Sequence, residues 1–288
     1  MKRIFLFLTT NLALVFVLSV VCWLLRVDSD TYTGLLVVAL VFGMGGAYIS
    51  LLLSKPMAKW TTRARTIDGN EGETEAWLIR TVEQLAREAN IRMPEVAIYP
   101  GDPNAFATGA FRNSALVAVS TGLLGSMNRA EIRAVLAHEV GHVANGDMVT
   151  MTLLQGVLNA AVFLLARVIG MVVDGALSSD NRRRGPGIGY HLTRIVMQMV
   201  LGILASMVVM AYSRRREYAA DAIAAHYLGS PTDMIAALQR LGGLVPGQLP
   251  DSMKAFGIGS RGNLATLLSS HPPLEARIER LRNLPPAS

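Results

Sequence analysis

The sequence predicts a mainly α integral membrane protein, with about four hydrophobic helices joined to a soluble part that mixes helices with a small β-sheet. Three observations predict it. Apolar residues make up 51% of the 288 residues, and they gather into near-continuous runs at Ile4–Leu25, Leu35–Leu53, Met151–Val173 and about Thr193–Tyr212. Each run reaches the ~20 residues that a helix rising about 1.5 Å per residue needs to cross a ~30 Å hydrocarbon core. Basic residues flank the runs, and the stretches between them carry the periodicities of ordinary helices and strands.

The first run follows Lys2 and Arg3, a basic start shared with signal peptides. It exceeds the ~7–15 residues of a signal core, and no small-x-small cleavage site follows cleanly before the next run, so a retained anchor is expected. The single cysteine, Cys22, lies in this run and forms no intramolecular disulfide, which suits a reducing compartment. Lys55, Lys59, Arg63 and Arg65 follow the second run, and Arg214, Arg215 and Arg216 follow the fourth. Charge so placed marks the cytoplasmic side of a bilayer. The net charge of +6 is therefore read as membrane topology, and with no aromatic-basic interleaving a nucleic-acid partner is excluded.

The same rule sets the organisation. Residues 1–55 form two N-terminal spans joined by an outer turn at Val27–Gly34, and residues 56–150 form the first part of a cytoplasmic domain. Residues 151–212 form a membrane hairpin, and 213–288 the second part of the domain. The hairpin is the least regular piece. It contains Gln155, Asn159 and Arg167, and Arg182, Arg183 and Arg184 fall in its loop, where a simple crossing would put them outside. Full crossing and a re-entrant hairpin partly buried in protein both stay open, and both return the chain to the same side.

In the first soluble block, Glu73–Ile91 has helical spacing, with Trp77, Leu78, Val82, Leu85 and Ala89 on one side. Glu95–Tyr99 and Ala115–Ser120 read as short strands. Asn128 caps the next helix while Glu131 reaches back to it, and Gly146 stops it after about Asn145. The second block opens with a helix through about Leu228, has another near Pro231–Leu241, and ends in a helix after His271-Pro272-Pro273.

The chemistry is carried by His138-Glu139-Val140-Gly141-His142. Two imidazoles one helical turn apart can reach a single metal ion, with a glutamate beside them. Catalytic zinc takes three protein ligands and keeps a position open for water, so a third ligand is needed. The extended pattern with Gly and His further along fails, since those positions hold Asn145 and Met148. Glu217-Tyr218-Ala219-Ala220-Asp221 fits instead: Glu217 as the third ligand, and Asp221 accepting the free ring N–H of a ligating histidine. His226 lies nine residues beyond Glu217, on the opposite side of that helix at about 100° per residue, and His191 adjoins the hairpin loop. The expected chemistry is metal-assisted peptide hydrolysis with Glu139 as the base. Two other readings are a zinc-binding membrane scaffold or sensor, against which Glu139 counts because ligation does not need it, and an aminopeptidase, for which no amine site stands out.

With these residues in view, the chain resembles the HtpX family of bacterial membrane metalloproteases, which are related to the CAAX-prenyl endopeptidases. The resemblance rests on the two N-terminal runs, Asn104-Ala105-Phe106-Ala107-Thr108-Gly109, Val117-Ala118-Val119-Ser120-Thr121-Gly122, the zinc motif with Gly146-Asp147-Met148, the hairpin, and His271-Pro272-Pro273. It implies a gluzincin-like α+β peptidase domain with one Zn2+ per chain, in the bacterial inner membrane with the site facing the cytoplasm. It also implies protein or peptide substrates, chiefly misfolded or damaged membrane proteins met under stress. By the same resemblance Asn104 and Ala105 lie on or beside an edge strand that pairs with substrate. His271 and Arg277 then line the catalytic centre, with His271 as the expected oxyanion donor, touching no metal ligand.

Overall fold

The structure is a computed structural model that describes residues 29–177, 187–243 and 271–284. The expected first span and the arginines of the hairpin loop lie outside these residues. By its internal contacts the chain divides into two compact units, Met1–Ser50 with Met151–Val209, and Leu51–Thr150 with Met210–Ser288.

In the first unit, helix α1 (Ser29–Leu40) passes through a π-helical turn (Val41–Gly45) into α2 (Gly46–Thr62). Among the described residues the helix runs from Ser29, so residues 29–34, expected in the outer turn, are helical. Small residues bring this stretch against α6 (Asp147–Leu177). A Cβ on Gly43 would fall 2.6 Å from the backbone nitrogen of Ala160, and one on Gly156 would meet Met44 and Ala47. Ala39, Ala160, Leu164 and Val168 form the core there, the small-residue packing used where lipid supplies no hydrophobic drive.

Three helical stretches among the described residues are long and apolar enough to cross a membrane: Thr33–Thr62, Asp147–Ala176 and Ile188–Leu228. Helix α7 (Ile188–Leu228) has 41 residues and is about 60 Å long, twice a hydrocarbon core. Its apolar run to Tyr212 exposes Leu192, Ile195, Met199, Ile203 and Val208, a row that suits lipid contact. The part from Ser213 onward lies beyond that run and carries every charged residue of the helix except Arg194.

The second unit is built on a four-stranded sheet of order β1-β2-β4-β3, from β1 (Arg65–Ile67), β2 (Glu95–Tyr99), β3 (Ala105–Thr108) and β4 (Leu116–Ser120). Strands β2 and β4 are parallel, β1 and β3 are antiparallel to their neighbours, and β3 is an edge. The alternation in β4 divides two cores. Val117 and Val119 face α3 (Glu73–Glu88) and α5 (Arg129–Asn145), packing with Leu78, Val82, Leu85, Leu136 and Val140, while Leu116 and Ala118 join Ala97 and Tyr99 on the other face. A short α4 (Thr121–Ser126) leads into α5, and α8 (Thr232–Gly243) and α9 (Leu274–Arg282) complete the unit. The expected Asn128–Glu131 capping box is present, and Gly146 ends α5 at φ 64°, a left-handed conformation that suits glycine.

Candidate metal centre

Helix α5 presents His138 and His142 toward α7 because the two helices approach closely. Gly141 permits this: a Cβ there would sit 3.3 Å from Ile223 and 3.6 Å from the Ala220 carbonyl. Ala220 and Ala224, both fully buried, keep the facing surface of α7 low and let Glu217 reach the histidines. The Nε2 atoms of His138 and His142 lie 3.1 Å apart, and they stand 3.6 and 3.3 Å from the Oε2 and Oε1 of Glu217. The ligand atoms of all three lie within 4.8 Å of one another, the one such metal-binding group among the described residues.

The far nitrogens of both rings are committed. His138 Nδ1 lies 2.9 Å from Asp221 Oδ1, and His142 Nδ1 lies 2.7 Å from Asp147 Oδ2. Carboxylates only accept, so each Nδ1 is the donor, which assigns the proton and leaves each neutral ring a bare lone pair at Nε2. Two lone pairs and a carboxylate thus converge with no donor among them. Such a donor set fits a cation, and imidazole with carboxylate fits zinc.

The electrostatics express the same need for positive charge. Burial works against protonation of His138, but hydrogen bonds to Asp221 and Glu217 outweigh it and hold its pKa above the ordinary 6.5. His142 is raised likewise, with burial opposed by Glu217 and by the charge of Glu139. Burial would raise Glu217, yet His138 and His142 in their protonated forms, together with His271, hold it well below the usual carboxylate range. Glu139 itself is half-buried on α5, and its charge also acts on Arg277 and on the Tyr99 hydroxyl, which burial above all pushes up to about 12.

Two arginines enclose the centre. Arg277, buried on α9, donates from Nε and Nη2 to Asp221 at 2.8 and 2.6 Å, and its Nη1 lies 3.4 Å from Glu217. Arg216 on α7 forms an ion pair with Asp147.

Residues 73–285 match the peptidase family M48. The chain belongs to this family. Among curated M48 relatives it is similar to the "Protease HtpX homolog" of Janthinobacterium sp. (strain Marseille), 58% identical over 99% of this chain and 100% of that one. The homolog of Herminiimonas arsenicoxydans is also 58% identical with the same coverage, and that of Bordetella pertussis is 57% identical over 98% and 99%. The fold is that of S. mikatae Ste24p, with a TM-score of 0.58 at 20% identity; the match covers 97% of this chain and 64% of that one. The chain is a membrane metalloprotease, and it acts on peptides or proteins.

In this M48 site, packing of α5 against α7 brings His138 and His142 together with Glu217 and Asp221, and Glu139 adjoins His138 on α5. His191 and His226 are exposed and outside it. Asn104 directly precedes edge strand β3, in which Ala105 is the first residue. Arg277 is buried at Asp221. His271 differs from expectation: instead of standing clear of the ligands, its Nδ1 lies 2.7 Å from Glu217 Oε2, the oxygen that also faces His138. Sequence reasoning assigned Arg216 a role only in topology and Asp147 only a place in the motif, and neither a role in the site. Five residues past His142, an aspartate on a straight helix would point about 140° away from it. The signal that could have found Asp147 is Gly146, whose left-handed turn redirects the chain between α5 and α6.

Proposed function

We propose that this M48 peptidase is a zinc-dependent endopeptidase of the bacterial inner membrane, with one zinc per chain and its site open to the cytoplasm. It cleaves misfolded or damaged membrane proteins. One observation carries the reading: His138, His142 and Glu217 converge as acceptors while Asp221 and Asp147 take both outer ring protons, and Glu139, which ligation does not need, follows His138 on α5 with its charge acting on His142.

Zinc, when bound, supplies Lewis acidity toward the scissile carbonyl and lowers the pKa of water. Glu139 takes a proton from the attacking water and returns it to the leaving amine. His271, more than half exposed with its Nδ1–H committed to Glu217, donates from Nε2 to the oxygen that gains charge as the imidazolium, and Arg277 holds Asp221 and Glu217 in place. Substrate backbone adds to the edge of β3, which among the described residues pairs with β4 alone. Ser120 N donates to the Asn104 carbonyl, so by strand alternation the amide of Ala105 faces away from β4.

Lys55, Lys59, Arg63 and Arg65 support cytoplasmic exposure, since basic residues collect inside. The test is purification in detergent with a chelator present, followed by zinc addition and mapping of cuts in an unfolded membrane protein. Internal cuts that depend on zinc are expected. No cleavage, or stepwise loss from free N-termini alone, overturns endopeptidase action. Reporters fused after Lys59, Thr150 and Ser288 should all read cytoplasm, and a periplasmic signal at Ser288 overturns the topology.

A further inference from the structure

The two histidines are each backed by a carboxylate, and each carboxylate by an arginine. His138 is backed by Asp221, from the Glu217–Asp221 pair, and then by Arg277 on α9. His142 is backed by Asp147 and then Arg216, through residues from a separate part of the chain. Asp147 is 4% exposed, and its Oδ2 lies 2.7 Å from His142 Nδ1. A buried carboxylate costs several kcal/mol unless paired, so its position facing the imidazole and the guanidinium accounts for its charge.

We propose that Asp147, held by Arg216, is a positioning residue for His142. Its charge fixes the Nδ1–H tautomer, aims Nε2 at the metal and makes that nitrogen a stronger donor. The geometry behind this is specific. Gly146 closes α5 with its N–H donating to the His142 and Val143 carbonyls at φ 64°, and α6 starts at the next residue. The break turns Asp147 back over the last turn of α5 and onto His142. Arg216 is adjacent to Glu217 on α7, so the guanidinium that neutralises Asp147 comes from the helix that supplies the third ligand. The ligand on α5 and the ligand on α7 are thereby tied together behind the metal as well as through it. Coupling of this kind acts on affinity and ligand geometry and leaves the identity of the three ligands unchanged.

This rests on the proposed zinc centre, and the test keeps the two apart. The full chain carrying Glu139→Gln, to prevent self-digestion, is purified in detergent without metal. Zinc affinity is measured by competition with a chelator, and the visible absorption of the cobalt-loaded protein reports ligand geometry. The parent should bind one equivalent of zinc. If it binds none, the zinc centre itself fails. Asp147→Asn keeps the side chain's size and one acceptor oxygen but removes the charge, and it should weaken zinc about 10- to 100-fold and shift the cobalt bands. Because it leaves Arg216 facing a neutral amide, Asp147→Asn combined with Arg216→Gln provides a second variant with neither charge left over. The paired variant should fold as the parent does and show the same loss. Wild-type zinc affinity and cobalt bands in the paired variant would overturn the proposal while leaving the metal centre standing.

Discussion

Arg277 holds Asp221 with both arms of its guanidinium, Nε to Oδ2 at 2.8 Å and Nη2 to Oδ1 at 2.6 Å, and both side chains are buried. Burial would raise the carboxyl's pKa, but the Arg277 hydrogen bond and then that of His138 hold it below the ordinary value. The pair links the short helix α9 to α7 behind His138. Arg277→Ala removes one partner of this pair and leaves the other charge buried, so it should destabilise the metal-free chain by about 3–5 kcal/mol. Arg277→Lys keeps the charge without the fork and should fall between. Chemical unfolding in detergent measures this, and a wild-type midpoint for Arg277→Ala would show that the pair contributes nothing.

Glu139→Gln removes the base and none of the three metal ligands. Zinc content should remain one per chain while hydrolysis falls by about 100-fold to 10,000-fold. Metal analysis beside peptide turnover decides it, and undiminished turnover would assign the proton transfer elsewhere.

Glu217→Ala and His271→Ala separate a ligand from its neighbour. The first should lose zinc on dialysis and activity with it. The second removes the contact to Glu217 Oε2, which the metal can take over, so zinc content should stay stoichiometric while turnover falls on the order of 100-fold and excess zinc fails to restore it. If His271→Ala loses its metal and Glu217→Ala keeps it, the third ligand is His271.

The edge of β3 gives a prediction about substrate. Ala105→Pro removes an amide that faces away from β4, so the sheet should persist while one hydrogen bond to an added strand is lost. A decrease of about 5-fold in kcat/KM is expected from a bond of ~1 kcal/mol. An unchanged value would place the substrate elsewhere.

The pH dependence of one ion-pair cluster follows from its sign. Hydrogen bonds from Lys55 and then Lys59, at 2.6 and 2.5 Å, hold the Glu95 carboxyl below its ordinary value. A depressed carboxyl stabilises above the unfolded pKa and loses that contribution as pH falls through the folded one. Glu95→Gln should therefore cost the same at pH 6 as at pH 8, below about 1 kcal/mol because the side chain is 44% exposed, and nothing in strong acid. Unfolding curves across that range would reveal any other profile.

Much of this molecule was legible in the sequence because its signals are local. The apolar runs are long enough to read without a partner, Asn128 and Glu131 close a capping box within one turn, and Gly146 ends its helix where the sequence placed the stop. His138, Glu139 and His142 share a helical turn, and Glu217 and Asp221 share another, so their spacing alone described two half-sites. Strand β1 was missed because three residues are too few to show alternation, and the start of α1 because Val27–Gly34 read as a turn. What the tertiary structure decided is how the halves meet. Gly141 and Ala220 let α5 and α7 approach, which brings Glu217 to histidines 75 and 79 residues earlier in the chain. The left-handed turn at Gly146 delivers Asp147 to His142, and α9 carries Arg277 to Asp221 from 56 residues away. Local periodicity fixes which side chains share a face of one helix, but a buried carboxylate's partner is chosen by packing between helices, and no spacing in the chain encodes that distance.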